Sequence, residues 1–231
     1  RNMTDKLRAF HNDPALAARI RAQLQAHHDA DEIVKGRYWE YGKGCAVGCI
    51  LHGSRHLRFE TELGIPVQIA YLIDGIFEAL PNGAAKEFPL RFVNAIEPGA
   101  DLGMVIPQFL LWLLTDPVHG VSTTCSEAGK PFVLSVSAIY AEWVRTGVKP
   151  AKKSNIARAA RAALAALAAW DARVAWDAWD VRAVRTAWNA AMDFRAAWDF
   201  RAAFDVLDAR DSWAARAAIS ADKLIELLEI A

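Results

Sequence analysis

Cysteine is scarce in this chain: Cys45, Cys49 and Cys125 are the only three in 231 residues. So low and odd a number excludes a disulfide-stapled secreted scaffold and suits a reducing compartment. An excess of either charge is also missing, with 27 basic against 27 acidic residues. General binding to DNA, RNA or anionic lipid needs a basic surplus to displace counterions, so neither is expected as a partner. Long apolar runs are missing too. The most apolar, Met104 to Leu114, is interrupted by Pro107 and closes on Thr115-Asp116, too short to span a bilayer. The opening stretch from Arg1 to Lys6 leads into polar sequence rather than an apolar leader, and a cytoplasmic location is expected. No P-loop, dinucleotide fingerprint, G-x-S-x-G elbow or H-E-x-x-H occurs, so nucleotide-dependent and serine-hydrolase chemistry has no motif behind it.

What the chain does contain is helix. Hydrophobic residues make up 54% of it, much of that alanine, and nine tryptophans argue for a packed core rather than disorder. The expected fold is all-α: a multi-helix domain over 1–150, followed by an Ala/Trp-rich helical layer over 151–231. That second stretch has no glycine and no proline, and it holds six of the nine tryptophans. A single helix of that length would reach about 120 Å, so two to four helices turning near Asp180, Asn189 or Asp208 are expected. A repeat runs through Met192-Asp-Phe-Arg, Trp198-Asp-Phe-Arg and Phe204-Asp-Val. Its six-residue spacing points large side chains in several directions, which calls for neighbours on several sides. The layer is therefore expected to pack on the front domain or to dock a protein partner or second copy. Ser220 is the expected cap of a last helix, Ala221 to Ile230.

In the front domain, Asp13-Pro14 marks a helix start, and the helix is expected to run to about Val34 and stop at Gly36. Tyr38 to Tyr41 reads as extended chain or a turn. Further helices are expected over about Pro66 to Leu80, Leu90 to Ile96, Leu102 to Leu114 and Pro131 to Thr146. Pro81-Asn82-Gly83 is expected to be a turn, and Asp116 to Lys130 a loop.

The densest group of soft ligands is Cys45-x3-Cys49-x2-His52-x3-His56. On one continuous helix these four would lie at about 0°, 40°, 340° and 20°, a single narrow stripe. Cys45 and His56 would then stand about 16 Å apart, so all four cannot hold one ion, whereas adjacent pairs one turn apart can. Alternatively, Gly48 and Gly53 break the segment and wrap it round a metal. His27 and Asp31, one turn apart in the stripe with Leu16, Ile20, Leu24 and Val34, are expected to face inward as ligand and orienting carboxylate. Glu60 and Glu62 lie close behind the histidines. Asp74 and Glu78 fall opposite the apolar face of Ile69, Leu72, Ile73, Ile76, Phe77 and Leu80, and are expected to face solvent.

Three readings of the group compete. Cysteines and histidines of this kind can be ordinary core, since a free thiol behaves as a small hydrophobe. They can be metal ligands: Cys45, Cys49, His52, His56, His27 and Asp31 are the expected set, zinc the default ion and iron the alternative. Or they can carry thiol redox chemistry. Gly44-Cys45 through Cys49 and His52, followed by Leu63-Gly64-Ile65-Pro66, resembles the alkylhydroperoxidase D and carboxymuconolactone decarboxylase family. That resemblance implies a helical peroxidase with Cys49 as peroxidatic thiol, Cys45 as its resolving partner and His52 in a proton relay. The family's motif is C-x2-C-x3-H, and here the two spacings are exchanged. In its alanine-rich composition and its close, Ala221-Asp-Lys-Leu-Ile-Glu-Leu-Leu-Glu, the chain also resembles helical bacterial and phage proteins, which implies a prokaryotic or viral origin.

Overall fold

A computed structural model of the chain describes residues 6–124, 130–149 and 210–231. Within them the protein is all-α apart from one short hairpin. The tail repeat, the expected turns at Asp180, Asn189 and Asp208, and Cys125 lie outside the described residues. The chain divides into two compact units, 1–106 with 210–231, and 107–209.

The first unit opens with Ala9–Asn12, a tight turn in which Phe10, His11 and Asn12 all have positive φ. Left-handed backbone costs non-glycine residues about 1–2 kcal/mol each. Full burial of Phe10 and backbone bonds between Ala9, Gly99 and Ala100 hold the turn in place. Helix α1 (Pro14–Asp29) starts as its sequence requires, the Asp13 carboxylate accepting from the Ala15 amide at 2.9 Å. It buries Leu16, Ala17, Ile20 and Leu24.

The end of α1 corrects the expected boundary. Asp31 takes the left-handed position with φ 55°, the Asp31 amide bonds the His28 carbonyl, and the Glu32 amide bonds the His27 carbonyl. Those are the two closing bonds of a Schellman turn, with aspartate where glycine is usual. The helix therefore ends five residues before Val34. Val34 instead bonds Gly44, next to a parallel bridge between Ile33 and Gly44.

Strands β1 (Trp39–Glu40) and β2 (Lys43–Gly44) form a hairpin across Tyr41-Gly42, both residues at positive φ as a two-residue turn prefers. Next come α2 (Ala46–Leu51), α3 (Arg58–Leu63), α4 (Val67–Ala79) and α5 (Asn82–Asn94). The turn expected at Asn82 is the first residue of α5. The short helix expected at Leu90 is the second half of α5, which continues through Pro89.

Helix α6 (Val105–Thr115) follows a short 3-10 turn, Leu102–Met104. In the second unit, α7 (Val121–Thr124) interrupts the expected loop, and α8 (Lys130–Thr146) ends at Gly147, φ 68°. The last helix, α9 (Arg210–Glu229), belongs to the first unit and lies against α4 and α5. It starts well before Ala221. Ser220 is thus a buried interior residue of the helix, not its cap.

Helix α4 lies at the centre of the first unit and touches α2, α3, α5 and α9. A helix enclosed in this way buries more than one stripe. Ile69, Ile73, Ile76 and Phe77 are buried as expected, but so are Ala70 and Asp74. The solvent-facing position expected for Asp74 is overturned: its residue exposure is 3%. Among the described residues no helix is long and apolar enough to cross a membrane.

Candidate metal centre

The segment from Cys45 to His56 does not form one helix, so the single stripe of four ligands is not realised. Cys45 is the N-cap of α2, and His52 ends that helix in the left-handed conformation with φ 47°. The break falls at His52-Gly53 rather than at Gly48, and it sends the two histidines to different places.

His56 goes inward. Its Nε2 lies 3.2 Å from Oδ2 of Asp74, and its ring stacks on Tyr71 with centroids 4.5 Å apart. The Tyr38 hydroxyl donates to the same Asp74 oxygen at 3.2 Å, and the Cys45 thiol donates to Oδ1 at 3.5 Å. A carboxylate this deep requires such partners, because an unpaired buried charge is prohibitively costly. One turn further along α4, the Glu78 carboxylate accepts from the Gly36 amide at 3.1 and 3.2 Å. One ligand atom from each of Cys45, Asp74 and Glu78 fits within 4.8 Å of the others, and Cys45 and Asp74 are buried.

His52 goes outward, to α1. Its Nε2 is 2.8 Å from Nε2 of His27, and its ring stacks on Trp39 at 4.3 Å and 16°. The Schellman turn carries Glu32 back over the last turn of α1, so that Oε2 meets Nδ1 of His27 at 2.6 Å. The orienting carboxylate of His27 is therefore Glu32 and not Asp31, which stands exposed and paired with Lys86. Adjacent residues thus serve different groups, Tyr38 reaching Asp74 and Trp39 reaching His52.

Cys49 joins neither group. Its thiol donates to the backbone carbonyls of Gly44 at 3.3 Å and Glu32 at 3.8 Å. Glu60 accepts from the Val67 amide at the start of α4, and Glu62 binds Arg58. Gln23 donates to the carbonyls of Cys49 and Ile50, which relieves the end of the short α2. Lys35 closes the end of α4 on the Glu78 and Leu80 carbonyls, and burial lowers its ammonium pKa.

Burial pushes the Cys45 thiol well above its ordinary range, and the neighbouring Asp74 charge pushes it further, against backbone N–H groups of Val47 and Gly48. The Cys49 thiol is pushed up to about 12, chiefly by burial. Burial and the Asp74 charge also raise the Tyr38 phenol. His52 is lowered, first by desolvation and then by His27 and Arg58.

A thiol with a pKa of about 12 is ionised to only about one part in ten thousand at pH 8. Iodoacetamide at pH 8 should therefore label Cys45 and Cys49 in urea but leave both unmodified for hours in the folded protein, as peptide mass mapping would show. Both thiols keep their protons in the folded chain where the unfolded chain gives them up. Stability accordingly falls as pH rises past the ordinary thiol value of 9.0, by up to about 1.4 kcal/mol per pH unit for each thiol. Flat stability between pH 9 and 11 would refute this.

No family model, no curated protein and no solved structure matches this chain.

The sequence showed no role for Tyr38, Trp39 or Glu32, and Asp74, expected on the solvent face, is buried, whereas Glu78 is half-buried. The local signal for Glu32 was weak, because recognising the turn required aspartate at a position glycine normally fills.

Proposed function

We propose that the protein binds a metal ion through Cys45, Asp74 and Glu78, with His56 and Tyr38 positioning the Asp74 carboxylate. The carrying observation is that one sulfur and two carboxylate oxygens, from α4 and the N-terminus of α2, converge within 4.8 Å. Zinc suits a mixed thiolate and carboxylate set, and iron is the alternative. Three protein ligands leave one tetrahedral position for water or substrate, the pattern of catalytic rather than structural zinc. A bound cation takes the place of the Cys45 proton, which burial and the Asp74 charge hold in the free protein, so uptake releases that proton. The peroxidase reading has less support, because both thiols are held protonated and Cys49 is occupied with backbone carbonyls.

Protein purified without chelators or a histidine tag is expected to carry about one zinc or iron per chain by elemental analysis. Asp74→Asn and Cys45→Ser should each remove it while the helical circular dichroism is retained. Because binding expels one thiol proton, apparent affinity should climb about tenfold per pH unit between pH 6 and 8. A wild-type chain that neither carries metal nor takes it up in titration would overturn the proposal.

A further inference from the structure

His27 and His52 share no residue with the Cys45 group, yet their arrangement is that of metal ligands in its own right. The two Nε2 atoms face each other at 2.8 Å. In a neutral His27 ring the Glu32 carboxylate on Nδ1 favours the proton there, which leaves a lone pair on Nε2. His52 must then supply the single bridging proton from its own Nε2. Moving that proton to Nδ1 of His52 leaves a lone pair on each of the two facing nitrogens.

We propose that His27 and His52 form a second metal site, open to solvent, for a borderline divalent transition ion such as Ni2+, Cu2+ or Zn2+. Imidazole suits these ions, and at metal–nitrogen bonds of about 2.0–2.1 Å the present spacing subtends about 85°. Such an angle fits square-planar or octahedral coordination once the two rings, which now meet nearly end to end with centroids 5.0 Å apart, swing off the line joining their nitrogens. Opening the pair by about half an ångström as well reaches the tetrahedral spacing. A metal-bound histidine commonly donates its other ring N–H to a carboxylate, the arrangement Glu32 provides.

The surroundings hold the pair in place. His52 is fixed by its left-handed backbone at the end of α2 and by the Trp39 ring stacked on it. Trp39 also meets the edge of His27, at 5.2 Å. His52 is exposed, so water or an exogenous ligand completes the coordination.

The test is titration of the full chain with Ni2+, followed by calorimetry and by imidazole 1H–15N spectra. A Cys45→Ser variant isolates this site from the one proposed above. It should bind one Ni2+ and broaden the His27 and His52 ring signals while leaving His28 and His119 sharp. His52→Ala should abolish that uptake, and Glu32→Gln should weaken it about 10- to 100-fold. A Cys45→Ser chain that takes up no Ni2+, or a His52→Ala chain that binds as the parent does, would overturn this site whatever happens at Cys45. Two equivalents in wild type, one lost with Cys45 and the other with His52, support both sites. A single equivalent that survives Cys45→Ser and is lost with His52 supports this one alone.

Discussion

Gly48→Ala is expected to lower the stability of the fold by about 3 kcal/mol or more, although alanine is the better helix former. A Cβ at Gly48 would fall 1.3 Å from the Tyr38 carbonyl oxygen and 2.4 Å from its carbon. Both are backbone atoms, so no side-chain rotation relieves the overlap, and the segment carrying Tyr38 and Trp39 must move away from α2. A Cβ at Gly44 would likewise fall 1.9 Å from the same oxygen. The displacement would pull the Tyr38 hydroxyl from Asp74 and the Trp39 ring from His52, so both proposed sites should lose affinity together. Gly75→Ala supplies the control. Gly75 is exposed within α4 with nothing within 4 Å of its would-be Cβ, and alanine there should stabilise by about 0.5–1 kcal/mol. Urea unfolding of the two variants reads both effects. Equal midpoints would mean that the Tyr38 segment does not lie against α2.

Asp74→Ala is the second large effect, at about 3 kcal/mol or more in metal-free protein. It strips the shared acceptor from the Tyr38 hydroxyl and from the buried Cys45 thiol and His56 Nε2. Asp74→Asn keeps one acceptor oxygen and the side-chain volume and should cost clearly less. Saturating zinc separates packing from ligation. At about a hundredfold excess over the dissociation constant it should stabilise wild type by about 2.7 kcal/mol, and Asp74→Asn by far less. Matching zinc responses in the two proteins would remove Asp74 from the ligand set.

Much of this fold can be read from local sequence. Asp13-Pro14 starts α1, Gly64 in the left-handed conformation ends α3, and the apolar spacing of Ile69, Ile73, Ile76 and Phe77 marks the buried side of α4. Local rules worked there because each depends on chemistry within a turn or two of chain. They failed at Asp31 and His52, two non-glycine residues that adopt left-handed backbone and so ended helices the sequence would have continued. Each failure moved a candidate ligand: Glu32 replaced Asp31 beside His27, and His52 parted from His56.

By itself, then, the sequence determined that the described chain is helical and that its densest group of potential ligands falls in the Cys45–His56 segment. Helix propensity, caps and ligand spacing are properties of neighbouring residues. Only the tertiary structure decided which ligands meet. Asp74 is buried because α2, α3, α5 and α9 enclose α4 on several sides, a circumstance that no hydrophobic stripe along α4 alone encodes. The pairing of His27 with His52, 25 residues apart, likewise depends on two chain reversals that bring the ends of α1 and α2 together. Contacts of that range are set by packing of the whole unit, which local propensity does not specify.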